Sequence, residues 1–144
     1  MSAAQLSTFS VVGHQFGVEV AAVQEVILHQ PMTRVPLAPA DLGGLINLRG
    51  QVIPAVDLRR RLGFPDRVAG QPPMDVILHT RDGLVSLLVD GIGDVVEVPD
   101  EAFEEPPETL HGIGRELIRG AYKLDDALLL LLDVQAAVDL QRTG

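Results

Sequence analysis

The stretch GGLINLRGQVIPAVDLRRR, Gly43 to Arg61, has the pattern of two short strands followed by a helix. Its first apolar arm is Leu45 to Leu48, and its second is Val52 to Val56. Arg49–Gly50–Gln51 separates them, and short apolar arms around a glycine-containing turn are typical of a β-hairpin. The stretch therefore predicts a hairpin with Arg49 at its turn.

The end of the same stretch predicts a short helix. Asp57 can cap it, because an aspartate there accepts hydrogen bonds from the free N–H groups of the first helical turn. The helix should cover Leu58 to Leu62 and stop at Gly63. Pro54 cannot donate a hydrogen bond to a neighbouring strand, so we expect it at a sheet edge or a bulge.

Apolar residues elsewhere also come in short runs, interrupted by Gly, Pro and Asp, which is typical of a chain with many short strands. Both faces of Leu84 to Val89 are mostly apolar, so this strand should be covered on both sides. The other predicted strands are Phe9 to Val12, Phe16 to Val20, Val76 to His79, the segment with Val95, Val96 and Val98, Ile118 to Leu124, and Ala127 to Leu132.

Two more helices are expected. Val20, Val23 and Ile27 recur at helical spacing, and Asp133 can cap a terminal helix. Roughly nine strands, three short helices and no βαβ alternation predict a mainly β fold, as a barrel or paired barrels. The 144 residues suit one compact domain, and the chain shows no strong internal repeat.

The composition disfavours several classes of protein. The net charge is −9, with only one Lys beside ten Arg, so binding to nucleic acid or to anionic membranes is not expected. Met1 to Ser10 lacks the pattern of a signal peptide, and no apolar run approaches the roughly 20 residues that span a bilayer. The absence of Cys rules out disulfides and thiolate metal sites, and it fits a cytoplasmic protein.

Residues for catalysis or cofactor binding form no recognisable motif. No two of the four histidines stand at the helical spacing of a metal-ligand pair. Both GxG sequences lack the third glycine of a dinucleotide loop, and no serine lies in GxSxG. We therefore predict no catalytic, cofactor-binding or metal site. A small enzyme with a barrel pocket is the competing hypothesis, and it would need clustered catalytic groups.

Two charged clusters stand out. Asp94 to Glu108 holds seven acidic residues and no basic one, and we interpret it as a solvated loop rather than a catalytic carboxylate pair. Arg59–Arg60–Arg61 is the one basic cluster. On a short helix it can form a solvated face or a contact with another protein.

Glu25 and Arg49 are isolated charges in apolar segments. Glu25 is the one acid between Val20 and Leu28, and Arg49 lies between the two arms of the hairpin. A charge in apolar surroundings needs a partner, so we predict that these side chains pair. The pair can be a structural ion pair or take a direct part in binding, and the sequence leaves both open.

GLINLRGQVIPAVDLRRRLG, Gly44 to Gly63, resembles the signature segment of CheW-type coupling proteins. The resemblance covers residues 7 to 140, although the family often has Gly where this chain has Ser86. Four further pieces agree in order and spacing: FGVEVAAVQEVI from Phe16, TRVPLAP from Thr33, LLVDGIGDVVEV from Leu87, and LIRGAYKLDDALLLLLDVQAAV from Leu117.

The resemblance implies two small five-stranded SH3-like β-barrels packed around a shared core, with a few short helices and no active site. It implies a non-enzymatic adaptor that binds the regulatory domain of a CheA-type histidine kinase and the cytoplasmic tips of chemoreceptors (methyl-accepting chemotaxis proteins). Contacts with other CheW-like domains could form rings. The positions that correspond to the family's receptor-contact region are Val23, Glu25, Gly44, Arg49, Val76 and Val95.

The expected organisation is a flexible N-terminus over residues 1–6, a single domain over 7–140, and a tail over 141–144. We expect a stand-alone adaptor, since the chain leaves no room for a receiver or kinase domain. Its expected location is the cytoplasm, at membrane receptor arrays that it joins through protein contacts. The alternative is a CheW-like regulatory domain of a pathway that controls pili, gliding or development.

Overall fold

The computed structural model describes residues 2–106, 113–125 and 127–140. Within these ranges the chain forms eleven strands, three short α-helices and two 3₁₀ turns. The strands are β1 (Ala3–Val11), β2 (His14–Glu19), β3 (Val23–Leu28), β4 (Leu42–Leu48), β5 (Gln51–Asp57), β6 (Met74–Thr80), β7 (Gly83–Val89), β8 (Gly91–Pro99), β9 (Phe103–Glu104), β10 (Ile118–Lys123) and β11 (Leu128–Leu132). The helices are α1 (Leu58–Arg61), α2 (Ile113–Leu117) and α3 (Val134–Val138), and the 3₁₀ turns are Val20–Ala22 and Asp100–Ala102.

Six strands form one sheet, in the order β8-β1-β2-β11-β10-β9. Its neighbours are antiparallel except β2 and β11, which are parallel. The two end strands, β8 and β9, follow each other along the chain and are separated only by the turn Asp100–Ala102. One bent segment therefore forms both ends of the sheet and closes it into a barrel, which we call the first barrel.

Five strands form the other sheet, in the order β3-β6-β7-β5-β4. Here β5 and β7 are the parallel pair. The chain bends after β3, and Thr33 then pairs with Leu45 in β4 through two backbone hydrogen bonds of 2.8 Å. The segment that leaves one end of this sheet therefore reaches the other end, and it closes the second barrel.

The two barrels have the same strand order. In each, the bent end strand pairs with a hairpin, β1–β2 or β6–β7, and a second hairpin, β10–β11 or β4–β5, joins that one in parallel. Each second hairpin leads into a helix with an aspartate cap, Asp57 for α1 and Asp133 for α3, as predicted from the sequence. This internal repeat is visible in the structure although the sequence shows no strong repeat.

One apolar cluster lies between the barrels and belongs to both. Phe9 and Phe16 enter it from the first barrel, and Val76 and Leu87 enter it from the second. Burial of this much apolar surface is the main favourable term that holds the barrels together. The strand predicted to be covered on both faces is β7, in which Leu87 faces the shared cluster and Leu88 faces a cluster inside the second barrel.

The predicted fold class, a mainly β chain in two barrels with a shared core and a few short helices, is confirmed. The strand count differs from the prediction, because eleven strands are found among the described residues where about nine were expected. In the first barrel, the two-residue strand β9 adds a sixth strand to the expected five.

The first residues of the chain differ from the prediction of a flexible N-terminus. Ala3 to Leu6 belong to β1, and the side chain of Leu6 is fully buried in a cluster inside the first barrel. The predicted tail 141–144 lies outside the described residues. These first residues form a regular strand because β1 pairs with β8 from Ala3 onward.

The acidic run also differs from the prediction of a loop. Its first part is in the regular strand β8, on which Asp94 and Glu97 are exposed. Its later described residues form a 3₁₀ turn and β9, and Glu108 lies outside the described residues. Exposed carboxylates thus occupy an end strand of the sheet.

The helix predicted from Val20, Val23 and Ile27 is wrong. Only Val20–Ala22 forms a 3₁₀ turn, and β3 follows it and pairs with β6. The β-branched residues of this segment fit a pleated sheet well, and strand pairing outweighs the accidental helical spacing.

Pro54 is not at a sheet edge, because β5 lies between β7 and β4. Its position nevertheless needs no N–H. Leu45, opposite Pro54, directs its backbone N–H and C=O to Thr33, and the pairing of β5 with β7 begins only at Ala55. Proline is tolerated because no neighbouring strand requires a donor there.

We predict that Gly44 and Gly120 are required for barrel closure. A Cβ at either position would lie 2.7 Å from a backbone oxygen of the closing segment, that of Thr33 or that of Glu104. Gly44→Ala and Gly120→Ala should therefore each lower the free energy of unfolding by about 1–3 kcal/mol, as overpacking does. Denaturant unfolding measures this loss. Gly114→Ala is the control, since a Cβ there meets no atom within 4 Å, and Gly44→Ala with wild-type stability would contradict the prediction.

Candidate functional site

The structure brings together the two isolated charges that the sequence analysis paired. Glu25 lies on β3, opposite Ile77 of β6. Arg49 is the first residue of the two-residue turn between β4 and β5, and its Nη2 donates a hydrogen bond to Oε2 of Glu25. This contact joins the two ends of the second barrel's sheet.

The turn geometry directs Arg49 toward β3. Arg49 has a φ of 52° and Gly50 a φ of 88°, the combination of positive angles found in the tight hairpin turns that match strand twist. The N–H of Gly50 donates to Oδ1 of Asn47 at 2.9 Å, and this hydrogen bond stabilises the turn. Sequence reasoning located this turn but not its left-handed backbone.

The ion pair is accessible to a partner. The side chain of Arg49 is 66% exposed and that of Glu25 is 26% exposed. The hydrogen bond to Glu25 and the negative charge of that residue raise the pKa of Arg49. Exposed ion pairs contribute little to folding stability, so the geometry leaves the pair free for recognition.

Two of the predicted contact residues are buried. Val76 is 1% exposed and packs in the apolar cluster shared by the barrels. Gly44 is also buried, close to the backbone of Thr33. These two positions support the second barrel from within, so their side chains offer no surface to a partner.

The other two predicted contact residues are accessible. Val23 lies at the start of β3 and is half-buried against the shared cluster. Val95 is 60% exposed and lies on β8, an end strand of the first barrel, where it pairs with Ser7 of β1. Two further aliphatic side chains are exposed in the second barrel, Leu28 at the end of β3 and Val52 near the start of β5, and the sequence analysis did not single them out.

The arginine cluster on α1 is not a solvated fan of charge. Arg61 is 2% exposed and donates hydrogen bonds to the backbone oxygens of Ala136 and Ala137 in α3. Arg60 pairs with Asp66 at 3.0 Å. Interpretation of this cluster as a free face for another protein is therefore not supported by the geometry.

Arg59 of the same cluster binds Asp90, which lies between β7 of the second barrel and β8 of the first. Its Nε and Nη2 donate to the two carboxylate oxygens at 2.8 Å each, the two-point geometry that a guanidinium allows. Asp90 also accepts a hydrogen bond of 2.7 Å from the backbone N–H of Val12, in the turn between β1 and β2. Asp90 thus ties α1 to both barrels.

The described residues contain no group of three His, Asp or Glu side chains placed to hold a metal ion. Among the same residues, no helix is long and apolar enough to cross a membrane.

Residues 5–142 match the CheW-like domain family. The chain belongs to the CheW-like domain family. The match includes nearly the whole chain, and it confirms the resemblance inferred from the signature segment. The narrower domain boundaries at residues 7 and 140 stay a prediction.

Curated relatives and a solved structure agree with this assignment. The chain is 32% identical over 132 residues to the probable chemotaxis protein CheW of Rhizobium etli, covering 92% of this chain and 85% of that protein. It is 32% identical over 135 residues to the chemotaxis protein CheW of Bacillus subtilis, covering 94% and 86%. The crystal structure of the scaffolding protein TtCheW from Thermoanaerobacter tengcongensis superposes with a TM-score of 0.82 at 26% identity, covering 92% and 90%.

Membership of this family confirms the predicted class, a CheW-type scaffolding protein of chemotaxis rather than an enzyme. The competing hypothesis of a small enzyme is set aside on the same ground.

We predict that Asp90 makes the protein acid-sensitive. Burial raises the pKa of Asp90, but the hydrogen bonds from Arg59 and Val12 and the nearby arginine charges outweigh burial and lower it overall. A lowered pKa in the folded state adds stability above the ordinary Asp value of about 3.9, and this stability is lost as the pH falls through the folded-state pKa.

Asp90→Asn should therefore reduce the free energy of unfolding at neutral pH by about 1–3 kcal/mol, and the difference from wild type should shrink below about pH 4. Urea melts of both proteins between pH 3 and pH 7 measure it. A difference that stays constant down to pH 3, or no difference at pH 7, would show that the ionised carboxylate is not the source of stability.

Proposed function

We propose that this chain is a non-enzymatic adaptor that couples chemoreceptors to a CheA-type histidine kinase. The observation that carries the proposal is the accessible Glu25–Arg49 pair, held at the closure of the second barrel in a chain of the CheW-like family. Relatives named chemotaxis protein CheW support the pathway. The location proposed with it is the cytoplasm, at receptor arrays.

The receptor surface that we propose is built around this pair. Val23, Glu25, Arg49 and Val95 would provide the contacts, since their side chains are at least partly accessible. Gly44 and Val76 would act from behind, by fixing the strands that carry the contacts. A charged pair flanked by aliphatic side chains suits a receptor helix that presents both polar and apolar groups.

The kinase partner would be the regulatory domain of a CheA-type kinase. A domain with the same two-barrel fold offers equivalent surfaces, so barrel-to-barrel contacts and rings with other CheW-like domains follow naturally from it. Interfaces of signalling assemblies are often small and transient, and micromolar dissociation constants, roughly −8 kcal/mol, are expected for both partners.

We predict that the pair is needed for receptor binding and not for kinase binding. Arg49→Ala and Glu25→Ala should each weaken binding of a receptor-tip fragment about tenfold or more, because each removes one member of an interface pair. Arg49→Lys should lie between these variants and wild type, since Lys keeps the charge but lacks the planar guanidinium. Titration calorimetry with the receptor fragment and with the kinase regulatory domain measures both affinities.

Lys123→Ala is the matched control, because it breaks an exposed ion pair with Glu104 in the first barrel. It should leave receptor affinity unchanged. All variants should unfold close to wild type, and kinase activation in reconstituted arrays should follow receptor affinity. Wild-type activation by both Arg49→Ala and Glu25→Ala would reduce the two residues to ordinary surface charges and would count against the proposed surface.

A further inference from the structure

A fully buried carboxylate lies inside the second barrel. Asp75 of β6 has no exposed surface, and it faces the same side of the sheet as the apolar residue Ile77. Oδ2 of Asp75 accepts a hydrogen bond of 2.9 Å from Oγ of Ser86 in β7. Oδ1 shares a hydrogen bond of 2.9 Å with Nδ1 of His29.

Burial of a carboxylate destabilises the folded state unless the group is hydrogen-bonded, and burial of an apolar residue at this position would carry no such penalty. Both oxygens of Asp75 have a partner, so the network is satisfied. The first barrel closes without such a network, so a barrel of this fold does not need one in order to close. The position of the first barrel equivalent to Asp75 is Leu6, and that equivalent to Ser86 is Gly17, as the strand registers establish.

The place of His29 explains what the network can do. His29 directly follows β3, at the bend through which the chain reaches Thr33 and pairs with β4. Its partner Asp75 is in β6, where it lies opposite Ile27 of β3. The network therefore anchors the bend after β3 to β6 and β7.

The three residues do not form a hydrolytic triad, although they are Ser, His and Asp. The hydroxyl of Ser86 bonds to Asp75 and not to His29, so no base is in contact with a nucleophile. Ser86 is also fully buried, and a substrate could not reach it. A positioning role fits this geometry, because the hydroxyl of Ser86 holds the carboxylate of Asp75 that binds His29.

We propose that His29, Asp75 and Ser86 form a positioning network that fixes the bend after β3 and thereby holds Val23 and Glu25 in the geometry that the receptor recognises. This inference rests on the proposed function for its receptor arm. Its structural arm, the rigidity of β3, stands by itself, because an anchored bend protects the amides of β3 whether or not a receptor binds.

The test uses the full chain with His29→Leu, which keeps a side chain of similar bulk but removes the hydrogen bond. Amide hydrogen exchange of Val23 to Leu28 should become about tenfold faster or more relative to β7, since local opening is set by local contacts. Affinity for a receptor-tip fragment should fall about fivefold, while affinity for the kinase regulatory domain stays within twofold. Ser86→Ala should show the same pattern more weakly.

His29→Asn is the rescue variant, because its amide nitrogen can donate from near the position of Nδ1. It should restore most of the exchange protection and receptor affinity. Asp133→Ala is the control, since it removes the cap of α3, a helix packed on the cluster shared by both barrels, and so lowers stability through a residue outside β3 and outside the network.

The outcomes separate the two proposals. If wild type binds no receptor fragment, the proposed function fails, and the exchange of β3 still decides the positioning network. If His29→Leu leaves β3 exchange unchanged, the network does not position β3. If His29→Leu and Asp133→Ala weaken receptor and kinase binding equally, the network is a general contribution to stability, and the inference is overturned.

Discussion

The pairing of Thr33 with Leu45 is the contact on which the second barrel depends. Without it, β3 and β4 would be the open ends of a five-stranded sheet, with unpaired backbone groups exposed to other chains. With it, the bend after β3 brings Glu25 within reach of Arg49. The pairing of Thr33 with Leu45 requires Gly44, because a side chain there would collide with the backbone oxygen of Thr33. The accessible charged pair is thus a product of closure.

The first barrel also depends on a glycine at the place where its sheet closes. Gly120 takes the place of Gly44, and its hypothetical Cβ would lie equally close to the backbone oxygen of Glu104. The barrels are joined by one apolar cluster and by Asp90, whose carboxylate is bound by α1 and by the turn at Val12. Two barrels joined in this way would present separate surfaces in a fixed relation, which is what the proposed adaptor role requires.

The sequence predicted local features well. The hairpin around Arg49 and the caps at Asp57 and Asp133 depend on residues that are neighbours in the chain, so their pattern is legible without the fold. Features set by distant residues were missed or misread. The spacing of Val20, Val23 and Ile27 predicts a helix, whereas the pairing of β3 with β6, which the spacing does not reveal, makes the segment a strand.

Burial was equally hard to foresee. Val76 stands in an apolar run whose two faces look alike in the sequence, and the structure puts it in the shared core. Arg61 stands in a basic triplet, yet it is buried because the end of α3 supplies oxygens for its guanidinium. The hydrogen bonds between His29, Asp75 and Ser86 join three segments that are distant in the sequence, so no local sequence pattern predicts them.

The central claim is that the end strands near the Glu25–Arg49 pair form a receptor surface distinct from the kinase surface. Methyl NMR of the wild-type chain, titrated separately with a receptor-tip fragment and a kinase regulatory domain, tests it most directly. The account predicts that the receptor fragment shifts Val23 and Val95 most, while the kinase domain shifts a different set of methyl groups. Receptor-induced shifts centred on Val134 and Val138 of α3, with Val23 and Val95 unchanged, would contradict it.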